Sequence, residues 1–258
     1  MTNEALTELV LRSQSGDKDA LEQLLFWAHT PVSYLCRKIL QNQERAEDLT
    51  KEILQITAKG CKTLQDPELF EDWLCRITAA RCVQTLPELR WDLTSHAENP
   101  ISEDIAGKCL TQQETIQAVA ALVDTLPEDP RVCILLYCCA KMHSKTIAQV
   151  ADYTADMVRT NLHLGQTLLQ ESLEKLQEQG TEFTGITSLQ DILHTAMHSN
   201  VDADAALPLV YGVLGKELPQ PPDPTKWIVR ILTVIFLILL VICLGLGGIL
   251  ALKLLGLL

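Results

Sequence analysis

The stretch SKTIAQVADYTADMVRTNL, residues Ser144–Leu162, contains two apolar stripes separated by a short polar turn. The apolar positions recur at helical spacing: Ile147, Val150 and Ala151 before the turn, Val158 and Leu162 after it. Asp152-Tyr153-Thr154 forms the turn, Thr154 suits the cap of the second helix, and Asp156 suits its first turn. This spacing predicts a helix-turn-helix. An ordinary helical hairpin in a bundle shows the same spacing and stays an equal alternative at this point.

A DNA-binding helix-turn-helix places the N-terminal residues of its second helix against base edges in the major groove. The candidate DNA-binding residues of this segment are therefore Lys145, Thr154, Arg159, Thr160 and His163. The sequence between positions 141 and 169 contains three basic and two acidic residues, which gives a net charge of +1. Phosphate contacts supply most nonspecific affinity for DNA, so this surface is weakly equipped to hold DNA alone.

Outward from this stretch, helical spacing covers residues 1–86 and 115–180, and no stretch shows a convincing strand pattern. The fold class is predicted to be all-α, with two small helical domains. Residues 87–114 contain prolines and a glycine in an acidic stretch and are predicted to be a linker. Pro31 predicts either a kink or a new helix start. Residues 181–218 contain a short amphipathic segment, which begins with Ser188 and Asp191 at capping-box spacing and has the apolar face Leu189, Ile192, Leu193, Ala196 and Met197.

The C-terminal part predicts a membrane anchor. Residues 219–226 form a proline-rich spacer, and 227–258 contain the uncharged run Ile231–Leu252. Its 22 residues would span about 33 Å as a helix, enough for a bilayer core. Lys226 and Arg230 precede the run, so we expect a single-pass membrane protein whose N-terminal domains lie in the cytoplasm. A buried C-terminal helix is the alternative.

Composition argues against several other functions. The chain has 33 acidic and 21 basic residues, a net charge of −12, which disfavours broad adhesion to nucleic acid. Its nine cysteines lack CxxC pairs and are expected to be reduced, mostly buried thiols. No catalytic motif is present, so we expect no enzyme and no cofactor. His194 and His198 have metal-ligand spacing, but two ligands without a third predict no metal site.

Two groups of motifs resemble the bacterial RNA polymerase sigma factors of the extracytoplasmic-function type, over roughly residues 5–178. The first resembles their promoter-reading C-terminal domain, region 4: Leu126-Pro127-Glu128, Arg131, Leu135-Leu136, Ile147-Ala148 and Val158-Arg159. The second resembles their N-terminal domain, region 2: Ser15-Gly16-Asp17 with Ala20, Ala46-Glu47-Asp48-Leu49 with Glu52, and Asp66-Pro67 before Phe70, Trp73-Leu74 and Arg76-Ile77. The resemblance implies a sigma region 2-like bundle and a region 4-like helix-turn-helix.

The resemblance also implies roles for individual residues. Core RNA polymerase would be contacted by Glu47, Asp48, Leu49 and Glu52. A solvated acidic helix face is the plain alternative for the carboxylates. The following helix would face promoter DNA through Arg76 and Arg81. Trp73 is predicted to pack in the core, because it shares the apolar stripe of Phe70 and Ile77.

The chain departs from the family pattern where DNA would be contacted. Ala80 and Gln84 stand where the family usually has Asn and Asp, and Asp152 stands where glycine is common in the turn. The second helix has other residues at positions that are commonly basic or small: Asn161, Leu164, Gly165 and Gln166. These departures weaken the expectation of DNA binding more than the expectation of the fold.

The sequence thus predicts a membrane-tethered sigma factor that binds core RNA polymerase and directs promoter-specific transcription initiation. Its expected partners are core RNA polymerase, promoter DNA, the membrane through Ile231–Leu252, and a regulatory membrane protein. The alternative is a sigma-like membrane adaptor that has lost promoter recognition and acts through protein contacts. A membrane-anchored helix-turn-helix regulator that works without polymerase is a third reading, but it leaves the N-terminal motifs unexplained.

Overall fold

The computed structural model describes residues 2–89, 105–185, 188–199 and 203–218. These residues are mostly α-helical, which confirms the all-α fold class. The predicted spacer at 219–226 and the predicted anchor Ile231–Leu252 lie outside the described residues. Among the helices that are described, none combines the length and the apolar character needed to cross a bilayer.

The first half of the described chain contains four helices. They are α1 (Asn3–Gln14), α2 (Lys18–Leu40), α3 (Gln43–Gly60) and α4 (Phe70–Leu89). Two 3-10 turns, Cys61–Thr63 and Pro67–Leu69, connect α3 to α4.

The second half of the described chain contains six further helices and two very short strands. The helices are α5 (Gln112–Asp124), α6 (Glu128–Cys138), α7 (Ser144–Ala151), α8 (Ala155–Glu178), α9 (Leu189–Ser199) and α10 (Ala203–Leu214). The strands β1 (Cys109–Leu110) and β2 (Glu182–Phe183) pair in parallel, with Cys109 opposite Glu182. No strand was predicted, because two residues are too few to show the alternation that identifies one.

Local capping signals set several helix starts. The Asp17 side chain accepts hydrogen bonds from the backbone N–H groups of Asp19 and Ala20 and caps α2. Thr111 and Glu114 form a reciprocal capping box at α5. Ser188 Oγ accepts from the Asp191 N–H and donates to the Asp191 carboxylate, as its spacing predicted. Each cap satisfies backbone donors that the first helical turn leaves unpaired.

Helix α2 runs without a break through Pro31, which excludes a new helix start, one of the two alternatives predicted at this proline. A proline inside a helix costs about 3 kcal/mol or more. Here Pro31 is itself buried, and Ala28, Val32 and Leu35 around it are almost fully buried. Burial of these side chains offsets the loss of one backbone hydrogen bond.

Helices from both predicted domains pack into one compact unit, Met1–Lys216. Lys38 of α2 donates to the backbone oxygen of Ala120 and pairs with Asp124 on α5 at 2.5 Å. Arg131 of α6 is 5% exposed and donates to the backbone oxygens of Leu126 and Ile39. The division of this unit into a domain at 1–86 and a domain at 115–180 stays a prediction.

Gly165 allows α8 to pack closely on α6, and its replacement should destabilise the fold. An added Cβ would lie 2.7 Å from Cγ1 of Ile134, which is fully buried. Overpacking costs about 1–3 kcal/mol of stability, whereas the higher helix propensity of alanine relative to glycine stabilises by only about 1 kcal/mol. We expect Gly165→Ala to lower the free energy of unfolding by about 1 kcal/mol in urea denaturation. Gly212→Ala in α10 is the control, because nothing lies within 4 Å of that Cβ, and it should stabilise. Equal effects of the two changes would contradict the close packing.

Asp17 should make stability depend on pH. The hydrogen bond from the Ala20 N–H, and then those from Arg12, hold the pKa of the Asp17 carboxyl below its ordinary value. A lowered folded pKa means that the stabilisation is present above the unfolded pKa and is lost as pH falls through the folded pKa. Asp17→Asn should therefore be less stable than the wild type at neutral pH, and the difference should shrink in acid. Urea midpoints across this range measure it, with Asp19→Asn as the control for removal of one acidic charge. A difference that persists in acid would contradict the assignment.

Candidate functional site

The helix-turn-helix segment consists of α7, a three-residue turn and α8. Asp152 adopts the left-handed conformation with φ 54° and ψ 40°, and Tyr153 donates its hydroxyl to Asp129 at 2.6 Å. The left-handed conformation favours glycine, and aspartate is among the residues that tolerate it. Thr154 caps α8 through the N–H of Met157 at 3.2 Å, which confirms the predicted cap.

The predicted DNA-binding residues of this segment are all exposed. Lys145 lies on α7, Thr154 caps α8, and Arg159, Thr160 and His163 lie on its first two to three turns. Val158 is fully buried, so it fixes α8 on its neighbours and leaves these side chains on the outer face. All five side chains are therefore accessible to a partner on this segment.

The charge on this surface is partly compensated. Arg159 is 79% exposed and lies 3.2 Å from Asp156, which is 87% exposed. Met157 and Leu164 are also exposed on α8, at 44% and 41%. The outer face of α8 thus combines one paired arginine with exposed apolar side chains.

Asn161 and Gly165, where the sequence differs from the sigma-factor pattern it resembles, are not fully exposed. Gly165 is buried against Ile134 of α6, and Asn161 is half-buried. A long basic side chain at position 165 would have no surface to occupy in this packing.

The second candidate surface lies along α3 and α4. Glu47, Asp48 and Glu52 are exposed on α3, whereas Leu49 is 7% exposed and belongs to the core. The predicted polymerase contact is therefore presented by the three carboxylates. Arg81 of α4 lies 3.3 Å from Glu52, so a residue predicted to contact DNA pairs with one predicted to contact polymerase.

This part of the surface is a polar groove of about 330 Å³ between α3 and α4. A second ion pair, Arg45 with Glu88 at 2.9 Å, lies across the same groove. Both pairs are about half exposed, and such pairs contribute only about 0–1 kcal/mol to stability. The groove can therefore exchange these contacts for contacts with a partner at little cost to the fold.

Arg76 is exposed on α4 and is separated from this groove. It lines a cleft of about 410 Å³ together with Gly60, Asp72 and Trp73. Trp73 packs against Gly60, where an added Cβ would be 2.6 Å from its ring, and against Phe70 with ring centroids 5.8 Å apart. Trp73 thus packs against the core, as its stripe predicted.

The structure also assembles a cluster that the sequence did not predict. Glu71 of α4 contacts His194 and His198 of α9. Sequence reasoning treated the two histidines as isolated, because Glu71 lies 123 residues from His194 in the chain. The spacing of the histidines was the available signal, and the carboxylate that completes the group comes from tertiary packing.

The eight cysteines that the structure describes are free thiols, and all except Cys109 are buried. This confirms the expectation of mostly buried thiols for the described part of the chain.

No known family model matches this chain, and no curated protein is significantly similar to it.

Proposed function

We propose that this protein is a membrane-tethered sigma factor of the extracytoplasmic-function type, which binds core RNA polymerase and directs promoter-specific initiation without catalysis of its own. The observation that carries the proposal is the α7–turn–α8 pair, which presents Arg159, Thr160 and His163 on the outer face of the second helix. This is the face that a helix-turn-helix presents to the major groove. Together with the region 2-like motifs on α1 to α4, the arrangement favours a sigma factor over a lone helix-turn-helix regulator.

Two further features fit this function. The three exposed carboxylates of α3 offer an anionic surface for a basic partner, and such complementarity sets partner choice and association rate. The uncharged run Ile231–Leu252 would hold the helical unit at the membrane, with the helical domains in the cytoplasm. A regulatory membrane protein or proteolysis would then control release.

A sigma-like membrane adaptor is the second candidate, and specific contacts favour it. Arg81 and Arg159 are both paired with carboxylates, and Met157 and Leu164 give α8 an exposed apolar component. Exposed apolar side chains suit a protein partner better than a phosphate backbone.

Co-purification of the full-length protein with core RNA polymerase, followed by transcription on a genomic template pool, separates the candidates. Selective initiation supports the sigma factor. Polymerase binding without selective initiation identifies the adaptor, and absence of polymerase binding contradicts both.

Glu47→Gln with Asp48→Asn should weaken polymerase binding, because it removes two exposed charges from α3. Glu171→Gln with Glu174→Gln on α8 removes the same number of carboxylates elsewhere and should leave it unchanged.

Arg159 and Asp156 provide opposite tests of promoter contact. If Arg159 contacts a base, Arg159→Ala should weaken the free energy of promoter binding by about 1–3 kcal/mol. We therefore expect promoter-dependent transcripts to fall roughly five- to 150-fold. Asp156→Asn should release Arg159 from its ion pair and raise affinity for promoter DNA. Lys175→Ala, at the exposed far end of the same helix, is the control. Transcript profiles unchanged by both Arg159→Ala and Asp156→Asn would contradict the assignment of α8 as the recognition helix.

A further inference from the structure

Three metal-ligating side chains converge from two helices on one side of the molecule. His194 and His198 are four residues apart on α9, which places them on the same face of the helix. Glu71 lies in the first turn of α4. Its Oε1 atom is 3.2 Å from Nε2 of His194 and 2.9 Å from Nε2 of His198. One ligand atom from each residue lies within 4.8 Å of the other two.

These separations suit a small divalent cation. Zinc binds imidazole nitrogen and carboxylate oxygen at about 2.0–2.2 Å, so neighbouring ligand atoms around a tetrahedral ion are about 3.3 Å apart. The two oxygen-to-nitrogen distances are already close to this value. A rotation of one imidazole ring would adjust the remaining nitrogen-to-nitrogen separation.

The surroundings hold the ligands in place and leave one side open. The Trp27 ring stacks on His198, with centroids 5.6 Å apart and planes at 28°. The three ligand side chains are 24–30% exposed, and they line a cleft of about 720 Å³ that Phe26 and Thr30 also line. An ion can therefore reach the cluster, and water can complete its coordination.

The donor set has the right chemistry for a transition metal. Glu71 is an anionic ligand at neutral pH, as an ordinary glutamate is. The Nε2 atoms of His194 and His198 face its Oε1 atom, and a bound metal ion would replace the proton between them. A neutral imidazole that carries its proton on Nδ1 then presents the Nε2 lone pair to the metal. Imidazole with a carboxylate suits zinc and its neighbours in the first transition row rather than calcium or magnesium.

We propose that Glu71, His194 and His198 bind one divalent transition-metal ion of the zinc class, which links α9 to the start of α4. The site goes beyond promoter recognition and does not depend on it. Thr195 follows His194 where zinc hydrolases with the His-Glu-x-x-His motif have their glutamate base, so that position supplies no general base here.

Metal titration of the full-length protein tests this site. The protein is purified in detergent with a phosphine reductant, stripped with a chelator, and titrated with Zn²⁺ against a chromophoric competitor. We expect one Zn²⁺ per chain, with affinity reduced more than about 100-fold by His194→Gln or His198→Gln, beyond the loss typical of outer-shell partners. Glu71→Gln keeps the size of the side chain and should also weaken binding. His163→Gln is the matched control on an exposed histidine outside the cluster.

Two further measurements separate this site from binding by thiols and from misfolding. Co²⁺ bound at the proposed site should show no thiolate charge-transfer band, and Cys109→Ser should bind Zn²⁺ as tightly as the wild type. Zn²⁺ should raise the melting temperature of the wild type but not of Glu71→Gln, whose helical circular dichroism should be unchanged. Absence of stoichiometric Zn²⁺ binding, Zn²⁺ binding by either histidine variant as tight as by the wild type, or a cobalt–thiolate spectrum would overturn the proposal.

Discussion

Helix α2 contacts α1, α3, α4, α6, α9 and α10, and the positions of these helices depend on its burial. Buried side chains extend along it from Ala20 to Leu40, and polar contacts join its C-terminal part to the second half of the chain. Lys38 binds Asp124, and the backbone oxygen of Ile39 accepts from Arg131. Because Arg131 is buried, loss of its acceptors would leave a charged group unsatisfied, so these contacts fix how α6 meets α2. The helical pair α7–α8 is in turn carried by α6, on which α8 packs at Gly165.

The parts of this arrangement that the sequence predicted are those with a local physical cause. Thr154 and Ser188 act on donors three residues away, and the apolar face of α9 follows from helical periodicity. Pro31 shows the limit of such signals, because tertiary burial around α2 overrides the local cost of the proline. Pro87 behaves in the same way, since α4 extends to Leu89.

The candidate sites show the same difference between features with a local cause and contacts that depend on tertiary packing. Exposure of Arg159, Thr160 and His163 followed from the stripe of Val158, which is a local pattern. Their charge environment was less accessible to sequence reasoning. The pairing of Arg81 with Glu52 depends on how α3 meets α4, and the contact of Glu71 with two histidines depends on how α9 meets α4. No spacing rule connects residues that far apart in the chain.

Helix α4 joins the separate features of the molecule. Its first turn carries Glu71, its exposed side chains include Arg76 and Arg81, and it contacts α7 of the helix-turn-helix segment.

Helix α9, which would share the metal with α4, lies only a short distance in sequence before the predicted membrane spacer at 219–226. A metal ion bound by both helices would strengthen the contact between the segment leading to the spacer and the helix that carries the candidate promoter residues. Exposed ion pairs such as Arg81 with Glu52 are weak and exchange readily. A metal ion bound by three ligands connects the two helices more strongly, because all three ligands hold it at once. The contact between α4 and α9 would therefore be held more firmly with the ion bound than by the contacts of Glu71 with the two histidines alone.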